Sequence, residues 1–95
     1  MRIIQRWLED LIPNYLANRR QDIRQLALAV ETGELEPARL IGHGIKGSGS
    51  VYGFPEISEI GRSIDQSVVE GGAAGISRQI SNLADYLERV EVVYP

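Results

Sequence analysis

Two residue types that occur once each in this 95-residue sequence stand close together near its middle. His43 and Lys46 are the only histidine and the only lysine, and they lie three positions apart. A neutral imidazole nitrogen is a good nucleophile near pH 7, because an ordinary imidazole pKa of about 6.5 leaves much of it deprotonated. A lysine ammonium is a suitable point charge for phosphate oxygens. The pair therefore indicates phosphoryl transfer, with His43 as the acceptor and Lys46 as its electrostatic aid.

Both residues lie in a glycine-rich segment, residues 41–53, in which each interior glycine disfavours a helix by about 1 kcal/mol relative to alanine. Gly42, Gly44 and Gly47 match the dinucleotide-binding pattern G-x-G-x-x-G. That motif must follow a buried strand, whereas the residues before Gly42 favour a helix. A P-loop requires Gly-Lys-Ser/Thr, and residues 46–48 have the order Lys-Gly-Ser. A nucleotide-binding enzyme remains an alternative only if a strand precedes Gly42.

As a helix, the segment would have a core face and a chemical face. Placing each residue about 100° further round the axis gives a core side with Ile41, Ile45, Ser48 and Tyr52 and an opposite side with His43, Lys46, Gly47 and Ser50. His43 and Lys46 then meet on the exposed surface, because side chains at i and i+3 are neighbours. Gly47 leaves one flank of His43 without a side chain, so a partner's backbone and phosphate could approach closely.

Four stretches of apolar residues at three- and four-residue spacing predict four amphipathic helices. We expect the first to have Asp10 as its cap and Pro13 in its first turn, and to end at Gly33. The second should begin at Glu36-Pro37, with the proline at the first helical position, and run to about Tyr52, where Gly53 would end it.

The third helix should open at Phe54-Pro55 and continue until Gly71-Gly72 interrupts it. The fourth should reach about Val92, because it carries the cleanest apolar stripe in the chain: Ile76, Ile80, Leu83, Leu87 and Val90. A short extra helix over about Ile3 to Glu9 either precedes the first helix or runs into it with a kink, and the sequence leaves both possibilities open.

The connections between these helices are short, which favours antiparallel neighbours. The sequence has four apolar helical stripes and no pattern typical of a strand. We therefore predict an all-α fold, an up-and-down antiparallel four-helix bundle with or without the short N-terminal helix. The length fits a single domain over residues 1–95 with a modest core.

Composition excludes several classes of function. The absence of cysteine rules out disulfides, cysteine-bound zinc and a thiol nucleophile, and a single histidine argues against an imidazole-rich metal site. No apolar run approaches the roughly 20 residues that span a bilayer, and the N-terminal residues lack the apolar core of a signal peptide. A net charge of -3 gives no basic field for nucleic acid. We therefore expect a cytoplasmic protein that binds neither nucleic acid nor membrane.

Residues 43–54 resemble the signature of the histidine-containing phosphotransfer (Hpt) domain family. In that signature a histidine is followed by an apolar residue, then Lys-Gly and a small residue, with a glycine ten positions after the histidine, as at Gly53. Residues 13–23 are similar to the first bundle helix of such domains, and residues 57–65 to the helix after the histidine. The resemblance covers most of the chain, although only the central motif is specific.

The resemblance implies a bundle whose exposed histidine shuttles a phosphoryl group between aspartates of response-regulator receiver domains in a two-component phosphorelay. By the family pattern His43 is phosphorylated, Lys46 lies beside the phosphate and Gly47 leaves room for the receiver. Arg39, Gly44 and Ser50 are further candidates for receiver contact, and so they extend the expected binding surface.

The family pattern also assigns structural roles to three small residues. Ser48 and Gly49 are implied to let helices pack closely, and Gly53 to permit the turn into the third helix. The residue before the histidine is commonly alanine in such domains, whereas this chain has Gly42, and Gly44 adds a second soft point. We therefore expect this helix to be less rigid than its relatives.

The expected partners are receiver domains and hybrid histidine kinases, and the chain itself is expected to be a monomer. It would be a relay intermediate without autonomous catalysis and without a cofactor, since the magnesium belongs to the receiver. Two alternatives stay open: a binding module that docks on a receiver or kinase without carrying phosphate, and the phosphoacceptor domain of a chemotaxis-type histidine kinase. Met1 and the short length favour a free-standing protein over a kinase fragment.

Overall fold

The computed structural model describes residues 2–94 and contains the four predicted helices. They are α1 (Ile12–Thr32), α2 (Leu35–Ser48), α3 (Pro55–Val69) and α4 (Ala73–Arg89). Each helix packs against the next along the chain, and α4 also packs against α1. The prediction of an all-α, up-and-down antiparallel four-helix bundle is therefore confirmed. Met1 and Pro95, the two ends of the predicted domain, lie outside the described residues.

The core lies between the helices, and each helix contributes one apolar stripe to it. Its helical members include Ile12, Leu26, Ala38, Ile45, Ile57, Ile64, Ile76 and Leu83, which are all almost fully buried. Phe54, in the connection before α3, is also fully buried, and its ring stacks with that of Tyr15 at 6.0 Å between centroids. No helix in the described part of the chain combines the length and apolarity needed to cross a membrane.

The ends of α1 follow the prediction except for the N-terminal cap. Gly33 is the C-cap, with a left-handed φ of 74° that suits glycine, and Pro13 lies in the first turn. The predicted cap at Asp10 is wrong, because the chain enters α1 directly from a preceding turn. Leu11 is the N-cap, and no side chain caps the helix. α2 begins at Leu35, two residues before the predicted first position.

The predicted extent of α2 to Tyr52 is wrong, because the helix ends at Ser48. The backbone amide of Ser50 donates to Ser58 Oγ at 2.7 Å, so a side chain from α3 takes up a donor that would otherwise serve the helix. Gly53 then adopts a left-handed φ of 91°, where glycine is favoured, and turns the chain into α3.

The two ends of the chain pair as short strands, which the sequence did not predict. β1 (Arg2–Ile3) and β2 (Val92–Val93) are parallel, and the amide of Ile4 donates to the carbonyl of Val93 at 2.9 Å. The expectation that α4 reaches Val92 is therefore wrong, because β-branched residues after Arg89 take up extended backbone and a partner strand. The predicted N-terminal helix is reduced to a single 3₁₀ turn over Arg6–Leu8.

The N-terminal segment is tied to the turn between α2 and α3. Arg2 Nε donates to the carbonyl of Gly53 at 2.7 Å, and its guanidinium lies 3.5 Å from the Glu56 carboxylate. The same carboxylate accepts a hydrogen bond from the Tyr86 hydroxyl at 3.2 Å. Burial, with a smaller contribution from Glu56, raises the pKa of Tyr86 to about 12, so the hydroxyl stays protonated as the donor. These contacts hold the turn that follows the glycine-rich helix.

Candidate functional site

The single histidine lies on the solvent side of α2, where the helical rotation predicted it. Its neighbours in sequence at Gly42 and Ile45 are buried, whereas His43 is exposed. Within residues 2–94 its imidazole has no hydrogen-bond or ion-pair partner. A nitrogen lone pair is therefore free to act as a nucleophile or a base.

The surface on either side of His43 divides α2 into two flanks. We call the side toward α3 the packed flank, defined by Gly42, Lys46 and Gly49. We call the side toward α1 and solvent the open flank, defined by Leu40, Gly44 and Gly47. Both flanks are rich in glycine, but their surroundings differ.

On the packed flank the backbones of α2 and α3 lie in direct contact. A methyl group added at Gly42 would lie 2.7 Å from Ile64 Cγ2, and one added at Gly61 of α3 would collide with the backbone of Lys46. A methyl group at Gly49 would collide with the amide of Ser58. Glycine at these positions therefore permits two helices to approach more closely than any side chain would allow. Ile64 therefore leaves no room for a side chain at Gly42, the residue before His43.

Lys46 leaves the packed flank with its ammonium directed toward α3. Its Nζ lies 4.0 Å from Asp65 Oδ2, and the two side chains are 46% and 25% exposed. The sequence had suggested His43 as the neighbour of Lys46, and it gave no sign of Asp65. Lys46 is therefore a half-exposed cation beside the imidazole, with a weak partner on the neighbouring helix.

The predicted contact residues Arg39 and Ser50 lie at either end of the exposed stripe. Arg39 is one turn before His43, and its guanidinium donates two hydrogen bonds, of 3.0 and 2.6 Å, to Glu36. The hydrogen bond from Arg39 is the largest cause that lowers the pKa of Glu36. Ser50 lies beyond the end of α2, and its position is set by the turn. Only Arg39 therefore shares the helix with the imidazole.

The open flank is accessible along its length. Leu40 is 58% exposed, and methyl groups added at Gly44 or Gly47 would meet no other atom within 4 Å. A groove of about 340 Å³ separates Leu40 and Gly44 from α1. Small and apolar groups thus border the imidazole on this side, while Lys46 and Arg39 border it on the other.

The model of the Hpt domain family matches residues 10–92, which span all four helices. The chain belongs to the Hpt domain family. Hpt domains are phosphotransfer intermediates of phosphorelays, and they interact with receiver domains and kinases. A search of the curated proteins and a search of the solved structures each found no significant match.

The wall of the groove in this Hpt domain contains a polar cluster on α1 that the sequence did not single out. Arg19 donates to Asp22 at 2.7 Å, and its guanidinium lies 4.4 Å from the centre of the Tyr15 ring. The Tyr15 hydroxyl lies 2.9 Å from Ser48 Oγ, so Ser48 makes a polar contact with α1. Burial raises the pKa of Asp22, and the charge of Arg19 opposes that effect. The three-residue spacing of Arg19 and Asp22 could have suggested this pair.

Metal ligands are not gathered around this site. Among residues 2–94, no group of three or more His, Cys, Asp or Glu side chains is arranged to hold a metal ion. The cations on the His43 side of α2 are Lys46 and Arg39, which pair with Asp65 of α3 and Glu36 of α2. The chemistry available to the chain's own residues is nucleophilic attack by nitrogen with nearby cationic charge.

Proposed function

We propose that His43 carries a phosphoryl group between aspartates of receiver domains in a two-component phosphorelay. The observation that supports this most directly is the exposed imidazole, without a partner among residues 2–94, on the bundle surface of an Hpt family member. In the accepting step a ring-nitrogen lone pair forms the N–P bond while the P–O bond of an aspartyl phosphate breaks. The electron pair of that bond stays on the aspartate oxygen, and the reverse sequence delivers the phosphoryl group to the next receiver.

The two flanks of α2 would have different roles in phosphoryl transfer. Lys46 supplies a cation for the phosphoryl oxygens, since this reaction mainly needs positioning and charge neutralisation. The open flank, with Leu40, Gly44 and Gly47, would accept the receiver's surface, since no atom of residues 2–94 lies within 4 Å of a methyl group added at either glycine. Arg39 and Ser50 would contact the rim of the docked receiver. Magnesium bound by the receiver completes the charge neutralisation.

This role makes the chain a carrier that depends on its partners for catalysis, in keeping with its family. Hybrid histidine kinases would supply the phosphoryl group through their receiver domains, and response regulators would take it up. We propose that the chain acts as a monomeric single domain in the cytoplasm, where those partners operate. A single exposed imidazole per chain suits one receiver at a time.

The decisive test is labelling by a receiver domain charged with acetyl phosphate in the presence of magnesium, followed by acid and base treatment. Phosphohistidine survives base and is lost in acid, so we expect a base-stable, acid-labile label on the wild type. His43→Gln should abolish the label, because no other nitrogen nucleophile of that type is present. Potassium phosphoramidate serves as a second donor that does not depend on the choice of receiver.

The same assay separates the alternatives. Full labelling of the His43→Gln variant would reject His43 as acceptor. Stable receiver binding without label on the wild type from either donor would instead indicate a binding module that carries no phosphate. Labelling only by ATP with a separate kinase domain would indicate the phosphoacceptor domain of a chemotaxis-type kinase.

Lys46→Ala tests the electrostatic role. We expect transfer from the charged receiver to slow by about tenfold, equivalent to about 1.4 kcal/mol of transition-state stabilisation. The fold should persist, because the side chain is half-exposed. Arg78→Ala is the matched control, since it removes one exposed cation from α4, which packs against α1 and α3. Equal transfer rates in the two variants would contradict the role of Lys46.

A further inference from the structure

The ion pair between Lys46 and Asp65 joins the phosphotransfer surface of α2 to the neighbouring helix. Lys46 Nζ and Asp65 Oδ2 are 4.0 Å apart, which is the outer limit for an ion pair. Asp65 is the more buried partner, with 25% of its side chain exposed. The carboxylate is therefore held in place by α3, while the lysine has more freedom to move.

The position of Asp65 is fixed by the close contact of the two helix backbones. Its own backbone nitrogen would lie 3.3 Å from a methyl group added at Gly42, the residue before His43. Gly61, one turn earlier on α3, lies against the backbone of Lys46. These two glycines let the backbone of α3 lie directly against that of α2, so the carboxylate lies near the histidine's side of α2.

Asp65 also affects the other cation on this surface. Hydrogen bonding and charge from Glu36 are the largest causes that raise the pKa of Arg39, and the charge of Asp65 contributes in the same direction. Arg39 and Lys46 stand one turn before and nearly one turn after His43. A single carboxylate on α3 thus lies within electrostatic reach of both cations that flank the imidazole.

We infer that Asp65 is a positioning residue that competes with the phosphoryl group for Lys46 and so lowers the stability of the phosphohistidine relative to the receiver's aspartyl phosphate. This rests on the proposed function of His43. The incoming phosphoryl group brings about two negative charges, against one on Asp65, so Lys46 turns to the phosphate when it arrives. When the phosphate leaves, the carboxylate takes the ammonium back. Only an ion pair is exchanged, and no covalent bond changes at Lys46 or Asp65.

The competition has a direct consequence for the equilibrium with a receiver. Breaking a partly exposed ion pair costs little, so the effect on the partition of the phosphoryl group should be modest. Removing the charge of Asp65 frees Lys46 for the phosphate and favours phosphohistidine over the receiver's aspartyl phosphate. We expect a roughly two- to fivefold shift in the transfer equilibrium constant toward the Hpt domain.

The experiment charges the domain with potassium phosphoramidate, mixes it with a receiver domain and magnesium, and measures the partition of label at equilibrium. Asp65→Asn should retain roughly two- to fivefold more label than the wild type. Asp65→Glu, which keeps the charge, should behave like the wild type. Asp85→Asn is the matched control, because it removes a carboxylate that is ion-paired with Arg89 on α4. Circular dichroism verifies the fold, and Asp65→Ser is a second variant without the charge.

A double-mutant cycle tests whether Asp65 acts through Lys46. In a Lys46→Gln background the effect of Asp65→Asn should largely disappear, and an undiminished effect would overturn the positioning role. Equal partition in Asp65→Asn, Asp85→Asn and wild type would overturn the inference while leaving the proposed function intact. Failure of the wild type to take label from phosphoramidate would instead reject the proposed function itself.

Discussion

The two flanks of α2 use the same residue type for opposite purposes. On the packed flank, Gly42 and Gly49 lie against α3, and an added methyl group would collide with atoms of that helix. On the open flank, Gly44 and Gly47 lie against nothing, and an added methyl group would enter solvent. Glycine lowers the helix propensity on both flanks. It permits a helix–helix contact on the packed flank and leaves the open flank accessible.

The contrast shows how a small bundle can present an exposed histidine on a closely packed pair of helices. The packed flank fixes the register of α2 against α3, and with it the spacing between Lys46 and Asp65. The open flank keeps one side of His43 free of side chains. Close helix packing on one side of His43 and open space on the other thus arise from neighbouring positions of one helix.

The largest expected effect on stability comes from adding a methyl group at Gly61, which lies on α3 against the packed flank. Its added methyl group would collide with the backbone of Lys46, which cannot move as a flexible side chain can. We expect Gly61→Ala to lower the free energy of unfolding by about 3 kcal/mol or more, measured by urea denaturation. Gly75→Ala is the control, since its methyl group would meet only the movable Ser67 side chain. A similar small effect for both would show that the helices are not locked at Gly61.

Filling the open flank should impair function and leave the fold unaffected. We expect Gly47→Leu to slow transfer from a charged receiver by about tenfold, or about 1.4 kcal/mol, because the side chain would occupy the receiver's path beside His43. Gly47→Ala is the matched small variant and should transfer nearly as fast as the wild type. Unchanged kinetics in Gly47→Leu would mean that the receiver docks elsewhere.

A smaller loss of stability is expected from a substitution at Gly42 on the packed flank. Gly42→Ala gains about 1 kcal/mol of helix propensity but forces the methyl group against Ile64. We expect a net loss of about 1 kcal/mol in the free energy of unfolding, and the loss should be smaller in an Ile64→Ala background, which lacks the Cγ2 atom of that contact. A stabilised Gly42→Ala variant would show that this contact yields easily.

The smallest effect, and the opposite sign, is expected at Gly44 on the open flank. Gly44→Ala should raise the free energy of unfolding by about 0.5–1 kcal/mol, because it adds helix propensity at an open helical position. Urea denaturation measures the difference from Gly42→Ala. If both alanine variants changed stability in the same direction, the distinction between the flanks would fail.

The features that sequence predicted well depend on the pattern within one helix or on the length of the connection between two. The exposure of His43 opposite the buried Ile45 follows from the 3.6-residue repeat, and Gly33 marks the end of α1 because its left-handed backbone is a local preference. The antiparallel bundle follows from short connections between amphipathic helices. The pattern around the histidine was specific enough to indicate the family before any coordinates.

The features that sequence missed depend on contacts between elements. Asp65 contacts Lys46 because the close packing at Gly42 and Gly61 aligns α3 with α2. The residue pattern within α2 cannot predict how α2 aligns with another helix. α2 ends early because Ser58, from another helix, takes up a backbone amide. The pairing of the chain ends likewise needs a partner more than eighty residues away in sequence.

The parallel pairing of β1 with β2 brings both ends of the described chain to one place, beside the turn that leads into α3. A linker of a few residues could therefore join them, and new termini could be opened in another loop without disturbing the bundle. The same arrangement would let the domain be grafted into a surface loop of a host protein with entry and exit side by side.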